Sequence, residues 1–280
     1  MTVILDGRSI ASKIVEELTV KIQDLKRKGI SPSLALVLVG DDIYSKRYVD
    51  MKIKKCEEVG ILATLHHIDG SSERELLDLM KRLNDDARIH GVMVQLPLPE
   101  GFNELKVVGS ISPEKDVDGL NPSTIGKILL GEEAFFPAGV EAIFELLDRH
   151  KIEWMGKHWI IVGLSNIVGK PLTASLLNKK VTVTTCYPDQ SDLAEITKDA
   201  DILVVDIGRK WFITADMVKR NSVVIDNGNN YEGKRVYGDV DFEGVKEVAM
   251  AITPVPGGIG PLLITMLIRN TIKAAERVSV

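Results

Sequence analysis

Short, nearly unbroken apolar runs occur in two separate sets along the chain, and this pattern restricts the fold more than any other feature. In the first set, LALVLVG at 34–40 and GVMVQL at 91–96 read as strands covered on both faces, and LATLHHI at 62–68 is a weaker third. The segments between them have helical spacing, so residues 34–96 predict a βαβαβ unit with a parallel sheet. A second set follows residue 150: HWIIVG at 158–163, VTVTTC at 181–186, DILVVDIG at 201–208 and SVVIDNG at 222–228. The expected architecture is α/β, with two α/β domains flanking a cleft, and 280 residues suffice to give each domain its own core. The stretch 102–139, marked by glycine and proline, has little strand character and holds the connection, which sets the expected domains at 1–137 and 138–261. Ile10, Ile14, Leu18, Ile22 and Leu25 form the stripe of a long opening helix that stops before Gly29, and residues 138–150 predict a helix leading into the second domain.

Charge and cysteine usage exclude several classes of function. The formal net charge of -5 supplies no basic field for a phosphodiester backbone, so nucleic acid is not an expected partner. No basic leader precedes an apolar stretch at the N-terminus, and no uncharged apolar run of about 18 residues occurs, so neither secretion nor a membrane span is expected. Cys56 and Cys186 match neither a redox pair nor a zinc ligand set, so no metal is expected and a reducing cytoplasm fits.

The strand HWIIVG runs into Gly163-Leu164-Ser165-Asn166-Ile167-Val168-Gly169, after which a helix begins. A glycine-opened turn from strand to helix lets backbone N–H groups and the positive helix end approach a pyrophosphate. The spelling is GxSxxxG rather than GxGxxG, and a tight turn in any α/β domain reads the same way. Choice between NAD and NADP falls near the end of the next strand, at Cys186-Tyr187-Pro188-Asp189-Gln190, where no lysine or arginine stands. Asp189 is either a ribose ligand or an ordinary turn acid; on the residues alone the segment leans toward NAD.

In the first domain Asp41 and Asp42 cap a predicted helix from Ile43 to Val59 that Gly60 ends, with Val49, Ile53 and Cys56 as its core stripe. Ser45, Tyr48 and Lys52 share an adjacent face. Lys52 taken alone reads as a solvated lysine, one of several on this helix. Gln95 closes the apolar strand before Pro97, which places an amide at the carboxyl end of a parallel strand, where open α/β sheets bind ligands. A satisfied core amide is the other reading.

These residues resemble the methylenetetrahydrofolate dehydrogenase/cyclohydrolase (FolD) family over nearly the whole chain. The resemblance rests on Tyr48-Val49 with Lys52, CEEVGI at 56–61, VQLPLP at 94–99, PEKDVDGLNP at 113–122, GLSNIVGKP at 163–171, GDV at 238–240 and TPVPGGIGP at 253–261. It implies that Lys52 is the catalytic lysine, Gln95 its partner, Tyr48 a substrate-stacking residue and Asp118 the carboxylate that holds the pterin. Leu96, Pro97, Pro254, Gly257 and Gly258 would complete the substrate side. Gly163, Leu164, Ser165, Ile167, Val168, Gly169, Pro188 and Asn229 would hold the dinucleotide. The family further implies a homodimer acting on tetrahydrofolate derivatives, and a C-terminal helix over 262–280 that completes the first domain. Lys52 must act near neutral pH, which burial beside a neutral partner such as Gln95 can arrange.

Three segments depart from the family pattern, all on the cofactor side: Tyr187-Pro188-Asp189, AFFPAG at 134–139 in place of PCTPxG, and IDNGNN at 225–230 in place of IDVGIN. The family favours NADP, whereas Asp189 would repel a 2′-phosphate unless it points to solvent. NADP with weakened discrimination against NAD is the expectation. A shikimate-dehydrogenase-like oxidoreductase would share the architecture without requiring Tyr48, Gln95 and the DVDG segment together. A non-catalytic nucleotide-binding sensor would not require Lys52.

Overall fold

The computed structural model describes residues 2–69, 72–233 and 235–277. In chain order its elements begin with β1 (Val3–Ile4), α1 (Gly7–Arg27), β2 (Ser33–Val39), α2 (Ile43–Val59), β3 (Leu62–Ile68), α3 (Glu73–Asp85), β4 (Gly91–Val94), α4 (Glu104–Gly109), α5 (Pro122–Leu130) and α6 (Ala138–Arg149). They continue with β5 (Trp159–Val162), α7 (Gly169–Asn178), β6 (Val183–Cys186), α8 (Leu193–Thr197), β7 (Ile202–Val205), β8 (Val223–Asp226), β9 (Asn230–Glu232), β10 (Arg235–Tyr237), α9 (Phe242–Lys246), β11 (Ala251–Ile252) and α10 (Gly260–Arg277). The described residues form two compact units, one of 13–127, 133–138 and 264–277, the other of 2–12, 128–132 and 139–263.

The first unit carries a parallel sheet in the order β3-β2-β4. Every residue of β2 and β4 is buried, as continuous apolar strands demand, whereas β3 lies at the edge with mixed exposure and correspondingly mixed composition. Ala35, Val37 and Val39 on one face of β2 join Leu76, Met80 and Leu83 of α3 in one core. The opening helix buries the stripe read from its spacing, with Ile14, Leu18 and Ile22 almost wholly covered. Asp42 caps α2 by accepting the Ser45 N–H at 2.7 Å, and Gly60 ends it in the left-handed region. The stretch 102–139, expected as connection, contains α4 and α5, and Asp116 adds a single parallel bridge to Val92 on β4.

The second unit carries a sheet of six parallel strands among the described residues, in the order β1-β11-β8-β7-β5-β6. From β5 the chain moves outward to β6 and then crosses back to β7, so the strand order reverses between β5 and β7. Such a reversal is where open α/β sheets bind ligands. The N-terminal segment, assigned by sequence to the first domain, instead pairs with β11 through Val3 to Ala251 and Ile4 to Ile252. Strands of two residues have no periodicity to read, which is why β1 and β11 escape a sequence pattern.

Candidate active site

In the first unit, Lys52 and Gln95 meet at the carboxyl end of β4. Lys52 Nζ donates to Gln95 Oε1 at 2.7 Å, and Gln95 Nε2 in turn donates to the Leu96 carbonyl at 2.6 Å. Gln95 N–H bonds the Val37 carbonyl at 2.8 Å, so sheet pairing with β2 fixes the backbone from which the amide projects. Both amide ends are thereby spent, and Lys52 faces an oxygen that carries no charge. Burial pushes the Lys52 ammonium down to about 8, with attraction from Asp118 and Cys56 opposing the shift. Cys56, one helical turn further on, is fully buried and its thiol is pushed up to about 12, which makes it an inert packing residue. Tyr48 precedes Lys52 by one turn of α2 and is partly buried, as its shared face predicts.

The two acids of the DVDG segment have different surroundings. Asp116 is fully buried and accepts from the Asn121 N–H at 2.9 Å, the Leu120 N–H at 3.2 Å and the Thr124 hydroxyl at 2.7 Å. It organises the turn that follows. Asp118 is only partly buried by neighbouring side chains; desolvation pushes its carboxyl up to about 6, while Lys52 pulls it back. The bridge from Asp116 to Val92 is a single one, after which the chain turns, with the Gly119 N–H bonded to the Asp116 carbonyl at 3.0 Å. Asn270 of α10 donates to the Val117 and Phe136 carbonyls at 3.0 and 3.1 Å, tying the segment down. Gly119 adopts φ +71°, and a Cβ there would meet Pro137 N at 2.6 Å, so only glycine fits between the two acids and the Phe135–Pro137 strand of chain.

In the second unit, the GxSxxxG turn leaves β5 at the reversal of strand order and enters α7. A Cβ on Gly163 would lie 2.0 Å from the Asp206 carbonyl oxygen, and one on Gly169 2.2 Å from the Gly163 carbonyl, so both glycines are needed for the turn to pack against β7 and itself. Ser165 Oγ donates to Asp206 at 2.5 Å and accepts the Val168 and Gly169 N–H groups at 3.0 and 3.3 Å. Those two amides, expected from sequence to face a phosphate, are engaged by the serine. Leu164 is partly exposed, Ile167 is exposed, and Val168 is buried. Pro188 is partly buried and Asn229 is exposed. Pro254, Gly257 and Gly258 lie in a loop closed by a 2.7 Å bond from Gly258 N–H to the Pro254 carbonyl, and belong to this unit rather than to the one holding Lys52.

Sequence reading missed three groups here. Asp206 follows β7 and is held by Ser165 and by Asn227 Nδ2 at 3.0 Å, with burial raising its carboxyl above the usual range. Asp239 accepts the Ile207, Gly208 and Arg209 N–H groups at 2.7, 2.9 and 2.9 Å. Arg209 then reaches Asp189, with Nη1 2.8 Å from Oδ1. No lysine or arginine stands in the segment after β6, yet a cation meets it there: Arg209 arrives from the loop after β7, a strand distant in sequence and adjacent to β5. A polar residue closing an apolar strand is the signal that could have found Asp206; nothing local could have found Arg209.

A parallel sheet with a glycine turn at its reversal point, accompanied by a unit that presents a partly buried lysine, defines a two-unit α/β enzyme of the dinucleotide-binding class. Comparison with known proteins gives the family. Residues 5–118 match the tetrahydrofolate dehydrogenase/cyclohydrolase catalytic domain, and residues 137–279 match the NAD(P)-binding domain of the same family. The chain is 49% identical over 275 residues to the bifunctional protein FolD of Halalkalibacterium halodurans, covering 98% of this chain and 99% of that one. The crystal structure of the bifunctional FolD enzyme from Campylobacter jejuni superposes with a TM-score of 0.96 at 42% identity and covers 99% of each chain. The Trypanosoma brucei FolD enzyme, complexed with NADP cofactor and inhibitor, superposes at 0.94 with 31% identity, covering 99% of this chain and 98% of that one. The chain belongs to the tetrahydrofolate dehydrogenase/cyclohydrolase family. Shikimate dehydrogenase from Thermus thermophilus, at 13% identity, 88% coverage of this chain, 99% of that one and a TM-score of 0.55, shares the fold alone, which leaves the shikimate alternative a distant one. No helix among the described residues is long and apolar enough to cross a membrane.

Proposed function

We propose that the chain oxidises 5,10-methylenetetrahydrofolate to the 5,10-methenyl form with NADP and hydrolyses that product to 10-formyltetrahydrofolate, with Lys52 as the group that moves the proton. The observation that carries this reading is the 2.7 Å contact between Lys52 and the uncharged Gln95, in surroundings that bring the amine down to about 8. An amine in that range can exchange a proton near neutral pH, which an ordinary lysine cannot.

Asp118 accepts hydrogen bonds from the donor edge of the aminopyrimidinone, and Tyr48 offers a ring face and a hydroxyl to the folate. Leu96 and Pro97 complete the folate side in the unit that holds Lys52. The glycine turn at the strand-order reversal and the start of α7 fit a dinucleotide, which when bound takes the hydride from the methylene carbon. Neutral Lys52 then takes a proton from the water that attacks the methenyl carbon. Cleavage of the bond from that carbon to N5, with a proton returned to N5, leaves the formyl group on N10 and releases one proton overall. NADP as the preferred dinucleotide draws support from the family and from the NADP complex of the Trypanosoma relative. The family resemblance also supports a homodimer in the cytoplasm that supplies formyl groups for purine biosynthesis.

The test follows methenyl absorbance after mixing purified protein with methylenetetrahydrofolate and NADP or NAD. Transient methenyl accumulation is expected in the wild type, and accumulation without decay in Lys52→Met. Hydrolysis at the wild-type rate in that variant would remove Lys52 from the mechanism.

A further inference from the structure

We propose that Arg209 is the residue that recognises the 2′-phosphate of NADP, with Asp189 as the internal anion that occupies its guanidinium until the phosphate arrives. The inference rests on the NADP reading above and assigns it to a side chain outside the segment that follows β6.

Three observations place Arg209 in this role. The first is position: Asp189 follows β6, whose carboxyl end is where the adenosine ribose is read in sheets of this order, and Arg209 Nη1 lies 2.8 Å from its carboxylate. The second is preorganisation. Asp239 binds the N–H groups of Ile207, Gly208 and Arg209 itself at 2.7 to 2.9 Å, so the loop backbone is fixed and only the side chain has freedom to exchange partners. The third is selectivity between neighbours. Lys210, the adjacent cation, is turned away: its ammonium is 2.6 Å from Glu232 and 3.8 Å from the centre of the Tyr237 ring.

Arg209 and Asp189 are 47% and 75% exposed, so a ligand can reach the pair without rearranging a core. A guanidinium presents paired N–H donors that match phosphate oxygens as well as they match a carboxylate, and the phosphate carries the larger charge. Competition from Asp189 lowers the net gain, so discrimination against NAD is expected to be weakened rather than absent.

The test measures binding of adenosine 2′,5′-bisphosphate and of 5′-AMP to the full chain by calorimetry, since the two differ only in the 2′-phosphate. The wild type is expected to prefer the bisphosphate. Arg209→Ala should reduce that preference at least tenfold, Arg209→Lys should reduce it less, and Asp189→Ser should increase it. Raising the salt concentration should erode the preference in the wild type more than in Arg209→Ala. A wild-type preference retained within threefold in Arg209→Ala would overturn the assignment and leave NADP use standing. A wild type without preference would overturn both.

Discussion

Ser165 Oγ donates to the Asp206 carboxylate at 2.5 Å while accepting the Val168 and Gly169 N–H groups, so one hydroxyl couples the end of β7 to the start of α7. Asp206 fixes the direction in which that hydroxyl points. Asp206→Ala leaves the hydroxyl and the Asn227 amide without their acceptor, a loss of about 1 to 3 kcal/mol in stability. Urea unfolding should show it, and the double variant Asp206→Ala/Ser165→Ala should cost less than the sum of the two singles. Additive losses would mean that the two residues act independently.

The titration of Lys52 sets the pH dependence of hydrolysis. If the neutral amine accepts the proton, the enzyme-catalysed rate rises through a limb near pH 8 and levels above it. Asp118 is the largest influence holding the proton on Lys52, so Asp118→Asn should move this limb to lower pH. A limb that stays in place or moves upward, measured after subtraction of the uncatalysed reaction, contradicts the coupling.

Lys52 also burdens the fold. Its pKa is lower in the folded chain, about 8 against 10.5 for the ordinary side chain, so the unfolded chain holds more protons and stability rises between pH 8 and 10.5. Each unit corresponds to about 1.4 kcal/mol, which after allowance for partial solvent access leaves about 1 to 2 kcal/mol of destabilisation at neutral pH. Lys52→Met is therefore expected to unfold at higher urea concentration than the wild type at pH 7, and its stability should lack the rise above pH 8. An unaltered midpoint at pH 7 would show that the amine is not strained by burial.

The two acids of DVDG should separate cleanly on substitution. Asp116→Ala removes the acceptor of two backbone N–H groups and one hydroxyl and should cost about 3 kcal/mol or more in stability, read as a lowered thermal midpoint. Asp118→Ala should leave the midpoint nearly unchanged and weaken folate binding by about 2 to 4 kcal/mol. The reverse pattern would exchange their roles.

Gly119→Ala tests the same turn from its backbone. With φ at +71° and Pro137 N 2.6 Å from the new Cβ, the substitution should destabilise the fold by about 2 kcal/mol or more. Folate affinity should fall with it, because Asp118 precedes the displaced residue. Unchanged unfolding and affinity would show that the turn relaxes freely.

What could be read in advance depended on how local the signal was. Buried parallel strands advertise themselves as apolar runs, and the cap at Asp42 and stop at Gly60 are spelled within a few residues of the helix they bound. Gln95 was legible because an amide closing an apolar strand breaks its pattern. Asp206 and Asn227 follow β7 and β8 in the same manner and carry the same signal. Asp116 and Asp118 are interchangeable as letters; only the bridge to Val92 and the turn beyond show which one is enclosed. Arg209 could not be found from the segment it serves, because its nearness to Asp189 is a property of strand order.

The cradle that Asp239 makes for the 207–209 loop has a counterpart in Asp226, which accepts the Gly228, Asp239 and Val240 N–H groups at 2.8, 3.0 and 2.9 Å. The two carboxylates are thus in series: one shapes the segment that presents the other. An amide isostere cannot substitute at either link, since asparagine offers one oxygen and turns an NH2 group toward backbone donors already seeking acceptors. Each position therefore calls for a carboxylate by its hydrogen-bond count rather than by reaction chemistry, and neither residue need touch folate or dinucleotide for that demand to hold.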